Sequence, residues 1–385
     1  MQSVCFDRIQ HFNENARIMN DNNFVKLGDV AHECRLTWSG EQTNIPIVGL
    51  EHLIPGEIEL SSWDSNIEHT FSKKFTKGQV LLGRRRVYLK KAVVAPCDGI
   101  CSGDITVIES TGGILPELLP FVIQNDRFFD YAMQGSAGSL SPRVKWEHLK
   151  NYEFFLPPLA EQKVLADKLW AAYRLKESYK KLLTATEEMV KSQFIEMFGK
   201  EKANGTIADL IDKGIKSVKK TYDADVIIEY IDISSIDSNT HVITETTQHV
   251  VSKAPSRAQQ CVEKGDILVS TVRPVNRNIA VVNSDLPNLV ASTGFCVLRP
   301  KDGFREYILS VVQSDPYTEK MCDKASGGLY PAVNNGDVLS YGIYIPSESM
   351  LKKITGIYQQ ADKSGFELRK SIEAIDQVIK SLINN

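Results

Sequence analysis

The sequence predicts an α+β protein written twice. It has two similar globular domains, each a twisted β-sheet with short helices. Each domain is followed by a long helix, and the two helices pair as an antiparallel coiled coil. Three observations predict this. Segments recur at an offset near 190 residues. Each recurring unit opens with short β-branched runs broken by turn residues. Each unit closes with an uninterrupted heptad pattern launched from proline.

The repeat is legible in four places. "FTKGQVLLGRRR" (75–86) matches "VEKGDILVSTVR" (262–273), and "SAGSLSPRV" (136–144) matches "ASGGLYPAV" (325–333). "FFLPPLAEQ" (154–162) matches "IYIPSESML" (343–351), and "KLGDV" (26–30) sits against "TIADL" (206–210). The offset drifts from 180 to 189, as loop insertions would make it do. A period this long excludes a solenoid and indicates a duplicated globular unit with its helix.

Taken in order, residues 1–21 lie outside the repeat and form an N-terminal lead. Residues 22–156 form the first domain, with strand signatures in "IPIVGL", "QVLLG", "KAVVAP" and "DITVIE". A helical piece follows at 116–134. Residues 157–199 form the first spacer helix. Residues 200–346 form the second domain, with "VIIEYIDI", "DILVSTV", "IAVVN" and "GFCVLRP", then a helical piece at 304–322. Residues 347–385 form the second spacer helix. Strands with appended helices and no regular βαβ alternation indicate α+β.

The second helix steps 4,3,4,3 through Ile354, Tyr358, Ala361, Gly365, Leu368, Ile372, Ile375, Ile379 and Leu382. Shifted by 189, the same register runs through Leu165, Leu169, Ala172, Lys176, Tyr179, Leu183, Thr186, Val190 and Gln193. Pro157 and Pro158 suit a helix start, where a missing N–H is no loss. Ser347 is the expected N-cap behind Pro346. About 40 residues at 1.5 Å each make a rod of roughly 60 Å. Two separate helices, each packed on its own domain, are the competing arrangement.

Composition bounds the function. With 42% hydrophobic and 24% charged residues the chain reads as globular. It has no apolar run of membrane-spanning length. The first residues are polar, without the apolar stretch of a signal peptide. Seven scattered cysteines do not form a disulfide framework, so a cytoplasmic, reduced protein is expected. Cys97 and Cys101 have no second Cys/His pair nearby and read as ordinary thiols. His52 and His69 could ligate a metal, but the histidines do not cluster in sequence. The net charge is −3, with 16 Lys+Arg against 19 Asp+Glu in residues 1–158 and 15 against 18 in residues 201–346. Any nucleic-acid surface must therefore be a local patch.

Catalytic motifs are missing. "LPPL" (156–159) and "SDPY" (314–317) both depart from the polar–Pro–Pro–aromatic motif of an adenine methyltransferase. There is no Walker loop and no G-x-S-x-G. The acids are dispersed, unlike those of a metal-dependent nuclease.

Local basic patches remain. From His69 to Cys97 there are eight Lys/Arg and no acid: Lys73, Lys74, Lys77, Arg84, Arg85, Arg86, Lys90 and Lys91. The second unit has Lys216, Lys219, Lys220, Lys253, Arg257, Arg273 and Arg277. A charge run is ordinarily a solvated face. Here the run follows a strand at the same place in both copies, Arg86 against Arg273. Arginine suits bidentate contact with guanine or phosphate. The loops "SAGSLSPR" and "SGGLYP", with Arg143 and Tyr330, could bring backbone N–H groups to phosphates. A simple left-handed turn accounts for the same residues.

The stretches "GSLSPRVKWEHLKNYEFFLPPLAEQKVLADKL", "GGLYPAVNNGDVLSYGIYIPSESMLKKI" and "KGDILVSTVRP…ASTGFCVLRP" resemble the DNA-specificity (S) subunit of type I restriction–modification systems. The resemblance runs from about residue 22 to the end. "PLAEQ" is the family's helix start, and the second copy departs from it with "PSESM". The resemblance implies a non-catalytic protein bound to double-stranded DNA. Each target-recognition domain would read one half of a bipartite, asymmetric site. The helical pair would set the spacing and dock two modification subunits. Those partners would carry SAM and flip the base. Restriction subunits would bring ATP and Mg for translocation and cleavage. No cofactor is implied for this chain itself. Leu175, Leu182, Met189 and Phe194, off the heptad seam, would then be partner surface. The alternatives are a self-contained methyltransferase or nuclease with a diverged site, and a scaffold that binds only protein.

Overall fold

The computed structural model describes residues 23–40, 43–136, 142–238 and 240–384. The N-terminal lead, with Cys5, and most of the first Gly/Ser loop (137–141) lie outside the described residues. The chain forms two compact units, Met1–Lys180 with Lys370–Asn385, and Lys181–Arg369.

In the first unit a four-stranded antiparallel sheet runs in the order Ala31–Cys34, Ile105–Ser110, Val80–Gly83, Ala92–Val94. A three-stranded sheet places Gly99–Cys101 between Ile47–Val48, which is parallel to it, and antiparallel Lys73–Phe75. Val80–Gly83 is buried at every residue, as expected of an inner strand covered on both faces. The helices Leu119–Ile123 and Asp126–Gln134 cover one face, and Phe121, Phe128 and Phe129 lie fully buried in that core.

The second unit repeats much of this pairing, although the ladder of Ala31–Cys34 with Ile105–Ser110 shrinks there to the bridge Ile211↔Pro300 and a strand Thr247–Val250 is added beside Ile227–Ile231. Val80 pairs with Val94 and Ile108, while Ile267, 187 positions on, pairs with Val281 and Leu298. The parallel pair Val48↔Cys101 recurs as Ile231↔Ala291, and antiparallel Lys74↔Ile100 recurs as Cys261↔Val290. Lys26↔Glu153, which ties the domain's first strand to its last, recurs as Thr206↔Gly342. Even the turn after that strand is copied: Lys26 N–H donates to Asp29 Oδ2, and Thr206 N–H donates to Asp209 Oδ2. The second unit adds a small hairpin, Ile236–Asp237 with Val242–Ile243. Since a one-residue slip would turn every buried strand inside out, matching registers mean matching cores.

The long helices span Leu159–Phe198 and Glu348–Asn384. All eighteen seam positions are buried or half-buried. In the first unit Ile379, Leu382 and Ile383 pack on the cluster holding Leu165, Leu169 and Tyr173, and Lys176 Nζ meets Asp376 at 2.5 Å. In the second unit Phe194 and Phe198 share a cluster with Leu351, Ile354 and Tyr358, while Leu183 faces Gly365. Residue number rises along one helix as it falls along the other in both units, so the pairing is antiparallel.

Each helix start is anchored to its own domain. Gln162, 2% exposed, accepts from Leu115 N–H at 2.9 Å and donates to the carbonyls of Gly113 and Pro157 at 3.2 and 2.9 Å. This gives the final residue of "PLAEQ" a physical role. The corresponding residue of the second copy is Leu351, which joins the apolar core instead. Ser347 occupies the N-cap position, its carbonyl accepting from Leu351 N–H, while its hydroxyl meets Ser349 Oγ at 3.1 Å. No described helix is long and apolar enough to cross a membrane.

Candidate nucleic-acid interface

The basic run of each unit is built into the hairpin turn that joins an inner strand to the edge strand beside it, Val80–Gly83 to Ala92–Val94 and Ile267–Ser270 to Ile279–Val281. In the first unit Arg86 and Lys90 bracket the single-turn 3-10 helix Val87–Leu89; in the second Arg273 and Arg277 bracket Pro274–Asn276. All four brackets are left-handed, with φ of 53°, 52°, 48° and 50°. Every other non-glycine residue with positive φ among the described residues is Asn or His, which tolerate that region. A long basic side chain there costs on the order of 1–3 kcal/mol. Its occurrence four times at matched positions marks the turn as a shaped device.

Matched contacts hold the turn. Arg86 N–H donates to the Pro142 carbonyl at 2.9 Å, and Arg273 N–H to the Pro331 carbonyl at 2.7 Å. Lys90 Nζ meets Asp126 at 2.6 Å, and Arg277 Nη2 meets Asp315 at 2.6 Å. Both acids open a helix, where a negative charge is favoured. The turns present Tyr88 (52% exposed) and Val275 (66% exposed) at their tips. Each unit therefore offers an exposed tip between two basic residues, tied by its first bracket to Pro142 or Pro331.

Around this frame the remaining candidates divide. Arg143 grips Asp104 through Nε at 2.7 Å and Nη2 at 3.3 Å, and Arg85 meets the same carboxylate at 3.5 Å. Hydrogen bonding to Arg143 holds the Asp104 carboxyl below its ordinary range. In the second unit Arg273 stacks over the exposed Tyr330 ring at 4.6 Å and donates to the Leu329 carbonyl. Arg84 lines a cleft of about 570 Å³ with Arg35 and Lys145, which sequence reading did not single out. Lys77 and Arg86 are exposed, and Lys74 lies 5.7 Å over the Trp38 ring. Lys216, Lys219, Lys220, Lys253 and Arg257 are all exposed around one small apolar cluster that includes Val218, Val251 and Ala258. They form a patch separate in sequence from the Arg273 turn.

Two candidates need correction. Lys73 donates to the Ile105 carbonyl at 2.6 Å, and burial lowers its amine's pKa. It is a structural residue rather than a free contact, because its strand turns it inward while neighbouring Lys74 faces out. Phe194 is not exposed partner surface. Its ring packs 5.1 Å from Phe198 and 5.8 Å from Tyr307, in the second unit's core. Leu175, Leu182 and Met189 are exposed by 45%, 52% and 47%, spaced at heptad intervals along one stripe.

The counter-ions Asp104, Asp126 and Asp315 were missed in sequence. The last two carried a signal, since they repeat at the same offset of 189. Cys101 is fully buried, and burial pushes its thiol up to about 12, consistent with an ordinary core thiol.

No protein-family model matches the chain. It is 31% identical over 140 residues to the "Type I restriction enzyme HindI specificity subunit" of Haemophilus influenzae, covering 35% of this chain and 30% of that protein. It is 30% identical over 119 residues to the "Type I restriction enzyme EcoDI specificity subunit" of Escherichia coli, covering 29% and 26%. The chain thus matches under a third of these relatives' own length. Two solved structures share its fold. One, from work on assembly and conformational transition of the type I R-M system, has a TM-score of 0.50 at 19% identity, covering 94% of this chain and 96% of that one. The other, the type I restriction–modification S subunit from M. genitalium, has a TM-score of 0.52 at 12% identity, covering 95% and 98%. The chain is thus similar in sequence, over about a third of its length, to specificity subunits of type I restriction–modification systems, and it shares the fold of the M. genitalium S subunit over nearly all of its length.

Proposed function

We propose that the chain is a non-catalytic, sequence-specific DNA-binding subunit of a type I restriction–modification complex. Each unit reads one half of a bipartite, asymmetric site in double-stranded DNA, and the helical pair sets the gap. The observation that carries this reading is the left-handed basic turn, repeated on two domains of common topology but unlike side chains. The basic brackets position the DNA backbone, while the exposed tip faces base edges. Tyr88 against Val275, and Arg143 against Ala332, make the two readers unlike, so their half-sites differ.

Two modification subunits dock on the helices, using the stripe Leu175, Leu182 and Met189. They supply SAM, and restriction subunits supply ATP- and Mg-dependent activity in the cytoplasm. The test is co-expression with the modification subunit encoded beside this chain, followed by mapping of methylated bases. A split motif with one fixed gap is expected, with Arg86→Ala and Arg273→Ala each weakening methylation across the whole motif. A continuous motif, or none, overturns the proposal.

A further inference from the structure

The ladder of Ala31–Cys34 with Ile105–Ser110 carries a second set of reactive side chains, away from the basic turns. His32 lies directly across the ladder from Glu109. Cys34, two residues on, shares its face. Cys34 Sγ lies 3.6 Å from His32 Nε2 and donates to Glu109 Oε2 at 3.1 Å. All three ligand atoms lie within 4.8 Å of one another. A tetrahedral zinc ion, with sulfur at about 2.3 Å and nitrogen at about 2.1 Å, holds those two atoms about 3.6 Å apart. Gln79, 5% exposed, stands behind them. Its Oε1 accepts from Thr76 N–H, which fixes the amide so that Nε2 donates to Glu109 at 3.0 Å and Cys34 at 3.4 Å. Buried donors of this kind orient metal ligands.

The second unit shows what this corner requires. Ala31↔Ser110 corresponds to the bridge Ile211↔Pro300, so His32, Glu109 and Gln79 correspond to Asp212, Arg299 and Asp266. There Arg299 donates twice to Asp266 at 2.8 Å and lies 3.0 Å from Glu263, with Asp212 adding attraction. Glu263 N–H donates to Asp266 as Thr76 N–H donates to Gln79. A guanidinium fills the corner in the second copy. The first copy has Glu109 in its place, with a thiol and an imidazole alongside.

We propose that His32, Cys34 and Glu109 bind a borderline divalent cation of the zinc class, with solvent completing the shell. On binding, the thiol proton leaves to solvent; thiolate, imidazole Nε2 and carboxylate each donate a lone pair, and no group changes oxidation state. Without the cation, burial and the nearby Glu109 push the Cys34 thiol up to about 12. The other grouping, Glu51, His52 and Asp64, offers less. His52 Nδ1 accepts from Gly49 N–H, which leaves the proton on Nε2, facing Asp64 at 3.5 Å.

The test uses the full chain, stripped with chelator and titrated with Co²⁺ and then Zn²⁺. One equivalent of cobalt should bind, with a near-ultraviolet thiolate-to-cobalt charge-transfer band that zinc displaces. Cys34→Ser should abolish the band. His32→Gln, at an exposed position that leaves folding intact, should weaken cobalt binding at least tenfold. Cys322→Ser, on an exposed thiol of the second unit, should leave the band unchanged. Absence of the band from the native chain overturns the site, as does a band lost with Cys322 but retained without Cys34.

Discussion

Asp104 is the meeting point of Arg143 and Arg85, and its chemistry gives a pH signature. Its folded pKa is depressed, chiefly by the hydrogen bond from Arg143. Asp126 is depressed in the same way by Lys90 and, more weakly, Lys380. A depressed carboxyl binds fewer protons folded than unfolded. Its stabilising contribution is therefore complete above the unfolded value near 3.9, and is lost as pH falls through the lower folded value. The urea midpoint should fall from pH 6 to pH 3, and Asp104→Asn should lower it at pH 6 while making the fall shallower. Equal pH slopes in the two proteins would show that Asp104 is not stabilised by its arginines. At this scale the sequence was only half legible. The arginine run was visible as composition. Which lysine turns inward was not, because Lys73 and Lys74 alternate and only the packed sheet decides which face is the core. His32 and Glu109 are cross-strand neighbours with no local signal between them, although His32 and Cys34 sit at a spacing that shares a strand face.

The long helices were the most legible elements, because a seam repeats every 3.5 residues whatever the tertiary context. Every seam position is withdrawn from solvent, polar Lys176 included, which meets Asp376. Phe194, next to seam residue Gln193, went wrong because the helix end meets a domain there, and a domain buries a wider arc than a partner helix does. Gly365 is the residue whose presence the seam does not explain. It is buried in mid-helix, where glycine costs about 0.5–1 kcal/mol relative to alanine. An added Cβ would lie 3.4 Å from Leu183 Cδ1, an ordinary contact, and 3.1 Å from Arg369 Nη2, the movable end of a long side chain. Gly365→Ala should therefore stabilise the second unit by about 0.5–1 kcal/mol, read as a higher urea midpoint. A lower midpoint would mean that the helices require the glycine's close approach.

For the molecule as a whole, the proposed ruler makes the two helices one device, so they must be lengthened together. Seven residues inserted after Lys180 and seven after Arg369 preserve the seam, since a heptad returns each helix to within about 20° of its register. The insertion adds about 10.5 Å of helix, which is at most about three base pairs at 3.4 Å each. Methylation mapping should return both original half-sites with a longer gap. Methylation should also be weaker, because three base pairs turn the DNA by about 100°, which a 20° drift of the helices does not follow. The same insertion in one helix alone leaves unpaired seam residues and should abolish methylation. Under the proposed function each half-site depends on its own domain's core, whose strand registers the insertion does not touch. A changed half-site would therefore place base reading in the helices, and an unchanged gap would take the spacing role from them.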